Sequence, residues 1–480
     1  MTMPIAKTPF PTTVGASPNK AFFVNMLTRD IELNDAILDL LDNCVDGIVR
    51  SAPSKANSKK PYAGFYAHIT LTPEKFVIED NCGGIPLKLA IEKAFHLGNP
   101  RASSDGAATV GMYGIGMKRA IFKLGRSSVV RSRHGSDAFE VSISNEWLND
   151  PKDWNLPIRK LPLSQFPLNG TAIEIKDLRP EIGRRFDENK DAFINDFSNF
   201  VAQHYAIILQ KGFKVTINKK TVPTKPFELL CNPSKSIFSP RGGIAPYVMQ
   251  GVIDGVHLTV AVGFYRPPPS ETEVENEQQE RHSKDDAGWT IVCNDRVVVY
   301  RDRTRLTGWG EAGVPNYHSQ FIAITGIVVM QSNDLWKLPL TTTKRNIDSS
   351  SDTYSVAKDY MREGIKYFTK FTNRWKELPD ERKALYKAAE PFSLEEILST
   401  IPAEKRGSVR AGSKGLAHAT RYAPTLPVPE NTLKDVRISF SRPKDQVRAL
   451  AMRFFDDVET APGDVGAKCF DIAIAKGSSK

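Results

Sequence analysis

Apolar residues recur at helical spacing from about Thr28 to Val49. Leu33, Ile37, Leu40, Leu41, Cys44 and Ile48 share one stripe, which predicts an amphipathic helix with that side buried. A polar stretch from Ser51 to Lys60 follows. Phe65 to Leu71 and Phe76 to Glu79 then alternate with the period of two that marks strands. Strand and helix patterns continue to about Leu178, mixed rather than strictly alternating, which favours an α/β (α+β) sandwich over a doubly wound parallel sheet. A second block opens with a helical pattern from Phe193 to Gln210. It continues through Phe213 to Ile217, Val256 to Phe264, Trp289 to Tyr300 and Phe321 to Val329, read as short strands. Between two of these, Pro267 to Asp286 begins with three prolines and runs on in Glu, Gln and Asp, as a mobile, solvated insertion would.

Tyr354, Ala357, Met361, Ile365, Phe368, Phe371 and Trp375 form another helical stripe. It is short for a coiled coil, so packing against the preceding domain is expected. Residues 402–430, rich in Gly, Ser, Pro and basic side chains, read as a linker. The tail offers a strand (Val436 to Phe440), a helix (Lys444 to Phe455) and a last strand (Phe470 to Ala475).

Composition narrows the picture. With 40% hydrophobic residues in 480, the chain is not disordered throughout, and at roughly 100–200 residues per domain it holds two to four domains. The net charge of +10 is uneven: residues 402–450 carry ten Lys/Arg against four Asp/Glu. The basic character is thus largely C-terminal, and it permits contact with an anionic partner without saying anything of the fold. Five scattered cysteines with no CxxC pair argue against a disulfide framework or zinc site. The N-terminal residues lack the apolar core of a signal peptide. The longest apolar run, Phe321 to Met330, is about half of what a membrane-spanning helix requires, so a cytoplasmic protein without a membrane partner is expected.

Four segments carry candidate chemistry. In Asp39-Leu-Leu-Asp-Asn43-Cys-Val-Asp46-Gly47, residues Asp39, Asn43 and Asp46 share a helix face opposite the apolar stripe. A solvated polar face explains that spacing. So does a site in which the neutral Asn oxygen ligates Mg²⁺ and a carboxylate one turn earlier orients water toward a phosphate. Phe76-Val-Ile-Glu-Asp80-Asn-Cys82-Gly83-Gly84-Ile85 is a strand ending in an acid and a glycine turn. The acid could accept a hydrogen bond from the exocyclic amine of adenine, or simply belong to the turn. Gly111-Met-Tyr113-Gly114-Ile115-Gly116-Met117-Lys118 leads into a helix, as phosphate-cradling loops do. It is not a Walker A loop, since Met117 stands where the lysine would follow Gly116. Gly170-Thr171 opens a strand, and alone says little.

In this order, over about residues 20–180, the four segments resemble the nucleotide domain of the GHKL superfamily (gyrase B-type, heat-shock-chaperone-type, histidine-kinase-type and MutL-type ATPases). The resemblance implies a Bergerat-type α/β sandwich with ATP and Mg²⁺ as cofactors. Asn43 would coordinate Mg²⁺ and Asp46 would lie in the nucleotide site. Asp80 would bind adenine, Gly84 and Ile85 would line the base pocket, Gly111 to Lys118 would wrap the phosphates and Thr171 would support the adenine contact. Two departures stand out. Asp39 replaces the glutamate of the hydrolysing members, which suits slow turnover. Cys82 replaces a glycine two residues after the acid.

A histidine kinase carries its phosphoacceptor ahead of the nucleotide domain, and no histidine precedes Asn43. Leu338-Pro-Leu-Thr341-Thr-Thr-Lys344-Arg345-Asn346 resembles the loop by which the second domain of gyrase- and MutL-type members sends a lysine to the terminal phosphate. Lys344 would then be catalytic together with Asp39. The block around it resembles a ribosomal-protein-like βαβ transducer domain, and the whole looks closest to MORC-like ATPases. The organisation implied is an arm (1–20), a nucleotide domain (21–185), a transducer (186–352) with its insertion (267–286), a helical segment (353–400), a basic linker (401–432) and a small C-terminal α/β domain (433–480). An ATP-dependent homodimeric clamp follows from the resemblance. Its client stays open between duplex DNA, suggested by the basic linker and the MORC-like look, and a protein partner, with a slowly hydrolysing sensor as a third reading. Arg301, Arg303 and Arg305 would line one face of an extended segment, suited to phosphate contacts and equally to a solvated edge strand.

Overall fold

The computed structural model describes residues 20–55, 58–96, 114–187, 190–269, 286–341, 346–409, 416–429 and 440–477. Two compact units divide the chain, Met1–Val428 and Pro429–Lys480. In the larger one, α1 (Lys20–Arg29) precedes α2 (Leu33–Ser51), so the helix expected from Thr28 is interrupted, and Ile31 turns into the core at the break. The predicted apolar stripe of α2 is buried throughout.

Behind α2 lies a mixed sheet of eight strands. Its order is β5 (Ile158–Lys160), β4 (Asp137–Ile143), β3 (Gly125–His134), β6 (Gly170–Leu178), β2 (Lys75–Asp80), β1 (Tyr66–Leu71), β7 (Lys214–Ile217) and β8 (Lys220–Thr221). Every pair is antiparallel except β1 with β7. A one-turn helix, α3 (Leu87–Leu89), follows β2, and α4 (Gly116–Leu124) packs beside α2. The core formed with the helices includes Leu41, Ile69, Phe76, Phe122, Ile175, Phe197, Val201 and Val215. Here the structure departs from the sequence reading: Phe193 to Ile217 belongs with this first sheet, not with the second block. A parallel pairing across more than 140 residues leaves no local signature.

The second sheet orders seven strands as β13 (Arg296–Asp302), β12 (Gly288–Cys293), β14 (Ile324–Gln331), β11 (Val256–Phe264), β10 (Tyr247–Ile253), β17 (Leu416–Tyr422) and β16 (Gly407–Ser408), with β12 and β14 parallel. Trp289 to Tyr300 is therefore a hairpin rather than one strand. Its two-residue turn, Asn294-Asp295, has φ of 45° and 67°, the left-handed geometry that matches strand twist and that Asn and Asp tolerate. Helix Asp352–Arg374 lays the predicted stripe from Tyr354 to Phe371 onto this sheet. A two-stranded ribbon pairs β9 (Glu228–Cys231) with β15 (Glu390–Ser393), so the segment 353–400 is not purely helical.

Other expectations change as well. The 401–432 stretch is no simple linker, because β17 extends the second sheet beside β10, burying Leu416 and Tyr422. Arg406 donates to the Leu398 and Ile401 carbonyls and Arg421 pairs with Glu363 at 2.6 Å, so part of the basic charge serves the fold. Of the insertion, 270–285 lies outside the described residues. Pro268 and Pro269 at its start are buried and accept hydrogen bonds from Arg382. Arg301, at the end of β13, is ion-paired with Asp286. Arg303 and Arg305 lie past that strand, so the three do not line one extended face.

Among its described residues the smaller unit has two helices, Lys444–Phe455 and Pro462–Gly477, which touch each other. Phe470 to Ala475 is thus helical rather than a strand, the alanines interleaved with its apolar residues favouring a helix. Residues 436–439 of the expected preceding strand lie outside the described residues. Among the described residues no helix is long and apolar enough to cross a membrane.

Candidate functional site

Two groups of predicted residues are brought together around α2. The first forms where α4 meets α2. Gly116, the first residue of α4, lies so close to Asp39 that a Cβ there would meet the Asp39 Cγ at 3.2 Å and Oδ2 at 3.4 Å. The helix face is therefore not the solvated one that its polarity suggested. Asp39 and Asp46 are 5% and 8% exposed, and Asn43 between them is the member open to solvent. Arg119, one turn into α4, donates to Asp39 Oδ2 from Nη2 at 2.5 Å and from Nε at 3.2 Å. No sequence signal singled out Arg119, whose role depends on packing between two helices.

Gly114, at φ +65°, opens the α4 turn, and Ile115 and Met117 follow it, Met117 buried. Lys118 is 4% exposed and donates Nζ to the Ala94 carbonyl at 2.9 Å and to the Gly114 carbonyl. Burial lowers its ammonium to about 8. Its charge thus holds the backbone on both sides of the segment 97–113. Gly111 and Tyr113 lie outside the described residues, as does Lys344. The ends of the Lys344 loop are described: Thr341 donates N–H and Oγ1 to the Asn346 carbonyl at 3.3 and 3.1 Å.

The second group surrounds Asp80 at the end of β2. Its Oδ1 accepts from the Cys82 N–H at 2.7 Å and the Thr171 N–H at 3.3 Å, and its Oδ2 from the Cys44 thiol at 3.4 Å. Burial raises the carboxyl to about 6, against the opposing pull of those donors. Around it the backbone closes so tightly that side chains have no room. A Cβ at Gly84, where φ is +72°, would lie 1.9 Å from the Arg133 carbonyl oxygen, and one at Gly170 would lie 2.0 Å from that of Asp80. Ser132, fully buried, ties the pieces together. Its Oγ accepts from the Ile85 N–H at 2.8 Å, donates to the Gly170 carbonyl at 3.1 Å and lies 3.1 Å from Thr171 Oγ1. Ser132 sits in an ordinary strand pattern that marks no function. Cys82 occupies its turn without disturbing Asp80, and its thiol is buried beside that of Cys44.

These residues suit a nucleotide. A buried acceptor at a glycine-lined turn fits an adenine amine, a helix N-terminus beside an acid fits phosphates and a water, and the exposed Asn43 amide fits Mg²⁺. Among the described residues no group of three or more His, Cys, Asp or Glu could hold a metal by itself. Mg²⁺ would then need nucleotide phosphates as ligands.

A mixed α/β layer structure with an acid-tipped strand, a glycine cradle and an acid-bearing helix is the layout of a Bergerat-type nucleotide domain. Residues 31–174, less than a third of the chain, match the family described as Histidine kinase-, DNA gyrase B-, and HSP90-like ATPase, which supports a GHKL-type ATPase domain with ATP as its ligand. Comparison with curated proteins gives no match.

Proposed function

We propose that the chain is a Mg²⁺-dependent ATPase of MORC-like or MutL-like type, working as an ATP-gated homodimeric clamp on duplex DNA. The observation that carries the ATP reading is the Asp80 cradle, in which acceptor, turn glycines and Thr171 converge with no space left for other side chains. In this reading Asp80 takes the adenine amine and Asn43 ligates Mg²⁺, which neutralises phosphate charge when bound. Asp39 orients the water and takes its proton, and Lys344 arrives from the second domain to stabilise charge on the terminal phosphate. The local excess of basic residues in 402–450, apart from Arg406 and Arg421, which serve the fold, supports DNA as the client.

Phosphate release measured with and without duplex DNA at low salt, alongside size-exclusion with a non-hydrolysable ATP analogue, tests the whole scheme. ATP-dependent dimers and DNA-stimulated turnover are expected. Dimers without any DNA binding at low salt would move the client to a protein partner, as in a heat-shock-type chaperone. One observation favours a second reading, an ATP-binding sensor that barely hydrolyses: the shorter acid Asp39 is gripped by Arg119.

A further inference from the structure

Next to Asn43 on α2, Asp42 faces away from solvent, 1% exposed. Its Oδ1 accepts from Tyr205 Oη at 2.5 Å and from Arg296 Nε at 3.1 Å. Burial pushes the Tyr205 phenol well above its ordinary range, so it stays a donor. Arg296 is the first residue of β13, 5% exposed, and its guanidinium lies over the Tyr205 ring, 5.0 Å from the centroid. Its Nη1 donates to the His204 and Val297 carbonyls at 3.0 and 2.9 Å. The tip of the β12–β13 hairpin, part of the second sheet, is thus inserted against the helix that carries Asp39 and Asn43.

The tip is fastened on both sides. Asp295 accepts from Tyr62 Oη and Lys211 Nζ, both at 2.8 Å and both from the first sheet's domain. Asn294 faces the other way, exchanging hydrogen bonds with Ser332 (Nδ2 to the Ser332 carbonyl at 2.9 Å, Ser332 N–H to Oδ1 at 3.0 Å). Ser332 directly follows β14 and begins the segment that leads to Thr341 and the Lys344 loop. Three consecutive residues therefore join the Asn43 helix, the turns that lead into β1 and β7, and the residue that follows β14. A buried, multiply bonded ion pair costs more desolvation than a solvated contact, and removing one partner leaves an uncompensated buried charge.

We propose that Arg296 is a positioning residue for Asn43: bonded to Asp42 and stacked on Tyr205, in a hairpin tip that Asn294 ties to Ser332, it fixes the rotation of the helix that carries the magnesium ligand. The proposal rests on the Mg·ATP reading of the site. Turning α2 by a few degrees moves Asn43 and Asp39 together. Arg296 fixes that rotation from the side opposite the nucleotide.

The test uses the full chain and compares wild type, Arg296→Met, Arg296→Lys and Tyr205→Phe. ATP affinity is measured with and without Mg²⁺, and kcat by phosphate release. Arg296→Met is expected to keep Mg-free affinity within about twofold, because the Asp80 cradle is untouched, while losing about tenfold in kcat and most of the enhancement of affinity by Mg²⁺. Arg296→Lys should recover part of both, and Tyr205→Phe should move the same two quantities by a few fold. Wild-type kcat and Mg²⁺ enhancement in a folded Arg296→Met variant overturn the proposal, as does an equal loss of Mg-free and Mg-bound affinity, which marks a merely structural role. Should Arg296→Met fail to fold, Tyr205→Phe decides alone by the same two readouts. Absence of ATP binding in wild type, or binding indifferent to Asp80→Asn, removes the nucleotide reading and this proposal with it. Normal wild-type binding with unaffected variants removes this proposal alone.

Discussion

Arg119 holds Asp39 by a single oxygen: both Nη2 and Nε of the guanidinium point at Oδ2, across the contact between α4 and α2. The pair is almost fully buried, with side-chain exposures of 9% and 6%. An acid so placed is held in orientation, and one of its two oxygens is already committed to a cation. Both facts bear on a residue proposed to accept a proton from water.

Asp39→Asn is expected to keep ATP binding and stop turnover, as read by phosphate release against nucleotide titration. Equal rates in wild type and this variant would remove Asp39 as the base. Arg119→Met removes the cation that faces a buried carboxylate and should destabilise the fold by about 3–5 kcal/mol. Arg119→Lys, which keeps the charge but loses the paired donors, should cost less and lower kcat more than it raises KM.

The glycines of the cradle give a graded set of stability predictions. Gly84→Ala and Gly170→Ala would each place a methyl about 2 Å from a carbonyl oxygen, so each should cost at least about 2 kcal/mol by denaturant titration and abolish ATP binding. Gly135 also has positive φ, +60°, but no atom lies within 4 Å of its would-be Cβ. Gly135→Ala should cost only the left-handed penalty, about 1–2 kcal/mol, and leave ATP affinity intact.

Asp80 sets a pH dependence with two opposite signs. Its folded carboxyl is raised to about 6 from 3.8, so the native state binds its proton more tightly than the unfolded chain. Its contribution to stability is therefore full below pH 4 and is lost as pH rises toward and through about 6, on the order of 3 kcal/mol at most. With Asp80 as the proposed acceptor of the adenine amine, ligand binding runs the other way, since the ionised oxygen is the better acceptor, and ATP affinity should fall as pH drops through about 6. Thermal melts of the nucleotide-free protein should show Asp80→Asn gaining on wild type between pH 5 and pH 8. ATP titrations should show the variant losing the pH dependence of affinity.

Ser132→Ala removes an acceptor from the Ile85 N–H and a neighbour from Thr171, leaving a buried donor unsatisfied. A loss of about 1–3 kcal/mol is expected, with weaker binding of adenosine as well as of ATP, since Ser132 contacts Thr171, whose N–H holds the proposed adenine acceptor Asp80. Lys344→Ala, by contrast, should slow hydrolysis with little loss of affinity for either. Comparing adenosine with ATP across both variants separates the two ends of the nucleotide.

Much of this was legible from local pattern. The stripe of α2 and the helix carrying Tyr354 to Phe371 follow from helical periodicity, and strand β11 with the bounds Val256 to Phe264 from its run of apolar and β-branched residues, because the apolar side chains of each enter a core. The Asp80 turn was legible because acid and glycines are adjacent in sequence. What stayed hidden depends on residues far apart meeting. Arg119 reaches Asp39 across 80 positions and Arg296 reaches Asp42 across 254, and in sequence each is one arginine among many. The Asn294-Asp295 turn was missed because apolar and β-branched residues flank it on both sides, so the hairpin reads as one long strand. Strand β17 was hidden by the glycines and basic residues around it.

The parallel partner of β1 has a practical bearing on what counts as the smallest working piece of this protein. The family match ends at residue 174, within β6, yet β7 covers the edge of β1, and Phe197, Val201, Val215 and Ile217 complete the same core. A fragment cut near Leu178 would leave the β1 edge unpaired beside a half-built core, an invitation to edge-to-edge aggregation. Carrying the cut past Val222 keeps both the edge and the core closed, so an insoluble short fragment would report a severed sheet and say nothing against ATP binding.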